Sequence, residues 1–488
     1  MFDRIKKLLA PGEEKGELAR RELWPMDQPL YAFGTDAKGR PVDFLTIGDL
    51  YEGTMVLGRS GSGKTSSTGR AILHATGAAQ YAMVITTAKP GDAREVREFL
   101  SQVGREKDII EVNPQSGSFN FLQYWADMGA DTGQLVEMLM TIAGTSSRAG
   151  RGNQDDIWSK AMREWLANAL DLLRLAGQPL SMSYLAALAK TTAQTREEAE
   201  SGEWHRTSTV AYCLKEAKTR EEAGDFTPSQ IADLELCGRY WLYELPGMAD
   251  RTRSSVEMTT NATLAPFSRG WLRDRFCGGT ADITPELLES GKILLLNYPV
   301  KEYQEAGQLA QTAWKLMVQR WVERRPITAE TRPLLLFSDE CQFFLTREDV
   351  QFQTTARSSR TATVYLTQNR PNVVKELGDE KEADSLFGNL ATKIFHCNDE
   401  RSTNEWAAYT IGQNLVYRKS DGASGGQSGF GFNTGRSEQR DFEVAPSEFL
   451  SLRTGGPQNG LQCQAVLFRS GRTWTNGKHF RLVTISQT

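Results

Sequence analysis

Short apolar runs bounded by glycine and polar turns mark the first part of the chain. They are Phe44-Leu45-Thr46-Ile47, Thr54-Met55-Val56-Leu57, Ala82-Met83-Val84-Ile85 and Ile109-Ile110-Glu111-Val112. Each is short and aliphatic, which predicts a buried strand. Ser66 to Thr76 predicts a helix between two of them. Strands that alternate with helices predict a mostly parallel sheet with helices on both faces. From about Trp125 the pattern changes. Ile157-Trp158, Met162, Trp165-Leu166, Leu170 and Leu172-Leu173 recur at helical spacing. Residues 181–190 and 208–218 also predict helix, and acidic 196–203 predicts a solvated face or loop. The strand signal returns at 292–297, 333–337, 362–366, 393–396 and 465–468. The expected organisation is an α/β nucleotide-binding domain in two parts, 31–124 and 265–488, interrupted by an all-α domain over 125–264. Residues 420–440 are rich in Gly and Ser, carry Phe430 and Phe432, and predict a flexible loop.

Residues 1–30 stand apart. Phe2, Ile5, Leu8 and Leu9 can share one helical face beside Arg4, Lys6 and Lys7. That fits a weak membrane or partner anchor, but the preferred reading is a frayed terminus. Trp158 and Trp165 are seven residues apart, which predicts a core position rather than a stacking platform.

Composition narrows the class. With 39% apolar and 24% charged residues, a disordered chain is excluded. A net charge of −4 excludes a globally basic nucleic-acid coat, so any DNA contact must come from a local groove or pore. The six cysteines are scattered without a C-x-x-C pair, and the four histidines lack zinc spacing. That usage suggests a reducing compartment. No run approaches the roughly 18 apolar residues that span a bilayer, so the expected location is cytoplasmic.

The strongest chemical signal is Gly58-Arg59-Ser60-Gly61-Ser62-Gly63-Lys64-Thr65, which fits the phosphate-loop pattern G-x-x-x-x-G-K-S/T in full. It follows a predicted strand and opens a predicted helix. Glycines let Gly58, Ser60, Gly61, Ser62, Gly63 and the amides of Lys64, Thr65 and Ser66 surround phosphate without side-chain obstruction. Lys64 would reach the β- and γ-phosphates of ATP, and Thr65 would ligate Mg2+. Pro333-Leu334-Leu335-Leu336-Phe337-Ser338-Asp339-Glu340 is an apolar strand ending in two carboxylates. Asp339 suits the Mg2+ shell, and Glu340 suits a catalytic base that polarises water. Gln368 follows another strand and can sense the γ-phosphate. Arg357 or Arg360 can reach a neighbouring subunit's nucleotide, or can simply be solvated at a helix end.

These residues in this order resemble the type IV secretion coupling proteins, the conjugative DNA-transfer ATPases of the FtsK–HerA group of RecA-like motors. The resemblance runs from about Thr54 to the end. It takes in the phosphate loop, Asp156-Ile157-Trp158, Leu287-Leu288-Glu289-Ser290-Gly291-Lys292-Ile293-Leu294, the Asp339-Glu340 strand, Thr355-Ala356-Arg357-Ser358, Leu366-Thr367-Gln368, 387–394 and Pro446-Ser447-Glu448-Phe449. It implies a RecA-like fold and a homo-hexameric ring with an all-α domain at one mouth. It also implies ATP-driven movement of single- or double-stranded DNA through the centre. Relaxase or other nucleoprotein cargo and type IV secretion components are the implied partners. It places Lys64 and Thr65 at phosphate and Mg2+, Asp339 and Glu340 as the Walker B pair, Gln368 as sensor and Arg357 as the trans-acting finger.

Two features depart from that family. Its members usually begin with transmembrane helices, and none is predicted here; membrane contact is expected through a partner. Many relatives carry Asp-Pro-Lys-Gly-Glu after the second strand. Here the place reads Thr86-Thr87-Ala88-Lys89-Pro90-Gly91-Asp92, which keeps a lysine without the leading acid. Nucleotide and DNA are both open destinations for Lys89.

Candidate DNA contacts are Arg148 and Arg151 in a Gly/Ser-rich stretch, and Arg269, Arg273 and Arg275 beside Trp271 and Phe276. Arginine with aromatics suits phosphate contact and base stacking. The same pattern fits surface arginines that shield apolar rings. A DNA-processing or phage-defence motor working with a nuclease is an alternative function, and a nucleotide-dependent adaptor for protein substrates is a second.

Overall fold

The computed structural model describes residues 22–146, 155–278, 281–426 and 429–487. The opening residues with their apolar face, and Arg148 and Arg151, lie outside them. β1 (Pro29–Thr35) and β2 (Pro41–Thr46) form an antiparallel pair of their own. The expected strand 44–47 therefore splits. Its last residue, Ile47, opens a short helix, because Thr46 and Asp49 form a reciprocal capping box there.

The main sheet contains β3 (Thr54–Leu57), β4 (Ala82–Thr86), β5 (Ile109–Val112), β6 (Ile293–Leu296), β7 (Leu334–Ser338), β8 (Thr361–Thr367) and β9 (Thr392–His396). β10 (Gln413–Gly426) and β11 (Gly429–Phe442) form a separate ribbon, and β12 (Gln462–Arg469) and β13 (Phe480–Ser486) return to the sheet. The order is β13-β12-β9-β3-β8-β7-β4-β6-β5. β3 to β9 run parallel, and β12 and β13 extend the sheet antiparallel. Helices cover both faces, which is why these strands read as unbroken apolar runs. Ala82, Val84, Leu294, Leu296, Leu334 and Leu336 face one core. Met83, Ile85, Ile293, Leu295, Leu335 and Phe337 face the other.

Between β5 and β6 the described elements from Phe121 to Phe276 are all helices, a wider span than the expected 125–264. The acidic 196–203 segment forms two short helices, Arg196–Ala199 and Gly202–Thr207, each opened by a hydroxyl cap. Helix Asp155–Leu175 carries Trp165 in the core, edge-on to Trp241 at 5.6 Å. The helical layer shares one continuous core with the sheet through helix Val300–Arg324, where Trp314 stacks on Phe119 at 4.0 Å.

The expected loop 420–440 is corrected by the β10–β11 ladder, which pairs Gln413 with Phe442 and continues to Gly426 and Gly429. Main-chain hydrogen bonds close a two-stranded ribbon, and Gly and Ser supply them as well as other residues do. The ribbon's base is packed by Tyr409 edge-on to Phe442 at 4.9 Å. All six cysteines are buried and free. Among the described residues no helix is long and apolar enough to cross a membrane.

On β9, Lys393 is buried and its Nζ donates to the Leu390 carbonyl at 2.8 Å. Burial lowers its pKa to about 8. An unfolded lysine titrates near 10.4, so the folded state binds fewer protons between those values and stability rises with pH across them. Lys393→Met should gain on the order of 2–3 kcal/mol at pH 7. That advantage should shrink toward zero by about pH 10.5, as measured by urea unfolding of both proteins.

Candidate nucleotide site

Parallel strands collect their C-terminal ends at one edge, and the candidate residues hang from it. β3 delivers the loop 58–65, β8 delivers Gln368, and β7 delivers Asp339 and Glu340. Because β8 lies between β3 and β7, Gln368 stands between the loop and the acidic pair.

The loop is shaped by its glycines. A Cβ on Gly58 would stand 2.5 Å from Ser62 Oγ and 2.7 Å from His396 Cβ. Gly61 (φ 75°) and Gly63 (φ 91°) adopt left-handed backbone. Nothing lies within 4 Å of a Cβ at Gly61, so the loop is open there. Gly63 is backed by Cys463, whose Sγ lies 2.8 Å from Ser67 Oγ. Thr65–Gly69 forms one π-type turn in which Gly69 N donates to Lys64 O at 2.9 Å. Ser60 is exposed, Ser62 is buried with an unpartnered hydroxyl, and Ser66 accepts from Gln487 Nε2. Below the loop, the fully buried His396 shares a 2.8 Å hydrogen bond with Thr68. Burial, with Lys64 nearby, lowers the pKa of His396 to about 3 and keeps it neutral.

Glu340 is the centre of the cluster. It is 3% exposed and sits in left-handed backbone at φ 50°. Its Oε1 lies 3.5 Å from Lys64 Nζ and 3.4 Å from Lys89 Nζ. Gln368 Nε2 donates to Oε1 at 3.1 Å, and Gln342 Nε2 donates to Oε2 at 2.9 Å. Burial works against ionisation, but Lys64, the two amides and Lys89 outweigh it and hold the pKa below the ordinary carboxylate value. Asp339 accepts from Thr65 Oγ1 at 2.6 Å and from the Glu340 amide at 2.9 Å.

The Thr65 hydroxyl and the Asp339 carboxylate are hard oxygen donors in contact, a set that suits Mg2+. With the open glycine turn and the orphan Ser62 hydroxyl, these residues fit a magnesium-bound phosphate. Gln342 and Lys89 complete the shell of Glu340. The sequence signalled Lys89 only as a departure from a pattern. Gln342 had no signal beyond its place two residues after Glu340.

Arg357 lies elsewhere. It precedes β8, so it stands at the opposite edge of the sheet from the loop in the same chain. Its side chain is 63% exposed, and Nη1 donates to Glu52 Oε1 at 2.8 Å. Arg360, the alternative finger, is buried and committed to Glu22 and to the carbonyls of Ala329 and Thr331. Arg269 and Arg273 are exposed, and Arg273 pairs with Asp274 at 2.8 Å. Arg275 Nε donates to the Pro114 carbonyl, Trp271 stacks on Tyr298 at 5.0 Å and Phe276 is buried. The rings beside these arginines therefore serve packing.

Residues 333–452 match the family described as the TraM recognition site of TraD and TraG. No curated protein sequence matches the chain. Solved structures do. The bacterial conjugative coupling protein TrwB lacking its first 70 residues, unbound, superposes with a TM-score of 0.58 at 17% identity, over 94% of this chain and 89% of that one. TrwB in complex with ADP and Mg2+ gives 0.59 at 16% identity, over 94% and 89%. TrwB with the non-hydrolysable GTP analogue GDPNP gives 0.59 at 16%, over 94% and 90%. The chain has the fold of a conjugative coupling protein. That RecA-like fold is the one expected from the order of motifs, with β8 between the phosphate-loop strand and the acidic strand.

Gly58→Ala and Gly61→Ala separate sterics from backbone strain. Gly58→Ala should cost about 1–3 kcal/mol, because the methyl group meets Ser62 and His396. Gly61→Ala should cost about 1–2 kcal/mol, from left-handed backbone alone. Urea denaturation of both variants, with Ser62→Ala in each background, checks this: removing the Ser62 hydroxyl should relieve part of the first penalty and none of the second.

Proposed function

We propose that the chain is an ATP-hydrolysing DNA translocase, the coupling ATPase that delivers DNA or nucleoprotein to a conjugative type IV secretion system. One observation carries the reading. Lys64, Thr65, Asp339, Glu340 and Gln368, far apart in sequence, meet at a single sheet edge with their polar atoms in contact. The match to a TraM recognition region and the likeness to TrwB support the biological setting.

In this reading the loop amides and Lys64 bind the phosphates of ATP. Thr65 and Asp339 would hold Mg2+, which would supply positive charge against the phosphates. A water held by Glu340 attacks the γ-phosphorus and its proton passes to the carboxylate. The bond to the β–γ bridging oxygen breaks, and that oxygen leaves with ADP. Gln368 orients Glu340 and reports the γ-phosphate. Arg357 is too far round the sheet to serve its own site; exposed at the surface and paired with Glu52, it serves a neighbour's by exchanging that partner for phosphate. A head-to-tail ring of six copies supplies that contact. The type IV partners supply membrane proximity at the cytoplasmic side of the inner membrane. Arg148, Arg151, Arg269 and Arg273 are the DNA contacts this reading assigns.

ATP turnover measured with and without single- and double-stranded DNA, at several protein concentrations, tests the motor. Turnover should rise with DNA and with concentration; flat responses to both would remove translocation and ring assembly. Glu340→Gln should bind ATP and hydrolyse it at least ~10²-fold more slowly. Arg357→Ala should lose ~10³–10⁵ in rate alone. It should regain activity in mixed assemblies with Lys64→Ala, where each chain supplies what the other lacks; absence of recovery would discard the trans role.

A further inference from the structure

We propose that Lys89 is a positioning residue that holds the Glu340 carboxylate for water activation while Lys64 is engaged by phosphate. This role presupposes the hydrolytic reading of the same site. β4 pairs with β7 in parallel register, Thr86 opposite Ser338, so the turn after β4 lies beside the acidic pair. That turn is fixed. Thr87 N donates to Gln311 Oε1 at 2.7 Å and Thr87 Oγ1 to the Leu296 carbonyl at 2.8 Å. Asp92 Oδ2 accepts from Ala88 N at 2.8 Å and from Lys89 N at 2.7 Å. Lys301 N closes on the Ala88 carbonyl at 2.9 Å. From this support Lys89 Nζ reaches Glu340 Oε1 at 3.4 Å, the oxygen that Lys64 approaches at 3.5 Å from the other side.

Two ammonium groups thus share one buried carboxylate oxygen. They are not equivalent. Lys64 belongs to the phosphate loop, and a triphosphate there competes for it with three negatively charged groups. Lys89 comes from a different strand and has Asp92 and Asp339 beside it, so its charge is balanced without phosphate. When phosphate draws Lys64 away, Lys89 is the cation that remains on Glu340, with Gln342 and Gln368 as neutral donors. A charge-assisted contact is stronger than a neutral one and fixes the carboxylate more firmly. Asp92 supplies the support of Lys89 from within its own turn.

The test is a double-mutant cycle with binding measured alongside turnover. Lys89→Met should lower kcat about tenfold, the change expected from losing ~1.4 kcal/mol of positioning. KM and the affinity for a fluorescent non-hydrolysable ATP analogue should stay within about twofold. Lys89→Arg should recover most of the rate. In a Glu340→Gln background Lys89→Met should cause no further loss, because its target carboxylate is gone. Additive losses with a tenfold weaker analogue affinity would overturn the proposal in favour of direct phosphate contact. Unchanged kcat in Lys89→Met would also overturn it. Should Lys89→Met fail to fold, Lys89→Gln enters the same cycle. A wild type without turnover defeats the hydrolytic reading and this role together. Turnover abolished by Lys64→Ala but untouched by Lys89→Met defeats this role only.

Discussion

The nucleotide edge is organised around one buried negative charge. A carboxylate taken out of water is costly unless opposite charge and hydrogen bonds surround it. Glu340 meets that condition through Lys64, Lys89, Gln342 and Gln368, which come from the phosphate loop, the turn after β4, the acidic segment itself and the end of β8. Those four segments are therefore drawn to a common point. The same anchor sets Asp339 beside Thr65, since the Glu340 amide donates to the Asp339 carboxylate.

A second buried charge supports the far side of this segment. Just beyond the Cys341–Phe343 turn the chain enters helix Arg347–Thr355, whose Asp349 is wholly buried. Lys315 pairs with it, Gln319 donates at 2.9 Å and Tyr365 donates at 2.6 Å. Removing one partner from such a pair typically costs about 3–5 kcal/mol, so the helix has little freedom to drift. It runs from the acidic pair at one sheet edge toward Arg357 at the other. The stretch of chain between Glu340 and Arg357 is thereby anchored through one helix.

Much of the sheet was legible because its strands are buried on both faces, leaving continuous aliphatic runs that no exposed element would carry. The phosphate loop was legible for a different reason: glycine at fixed spacing before Lys64-Thr65 is a local backbone requirement. Other features escaped the pattern of apolar positions. The capping box at Thr46 and Asp49 cut short a strand that looked regular. The β10–β11 ribbon is held by main-chain bonds and so escapes a reading based on side-chain composition. Arg357 and Arg360 look alike in sequence, and only burial distinguishes the committed arginine from the exposed one.

By itself, the sequence determined the glycine-bounded loop 58–65, the acidic strand end and the alternation of strands and helices, because each is written in residues adjacent along the chain. The tertiary structure alone decided strand order and which charges share Glu340. Lys64, Lys89 and Gln368 are each separated from it by more sequence than any local pattern spans, and parallel pairing through β4, β7, β8 and β3 brings them within bonding distance. Electrostatic partnership depends on separation in space, and spacing along the chain does not encode it.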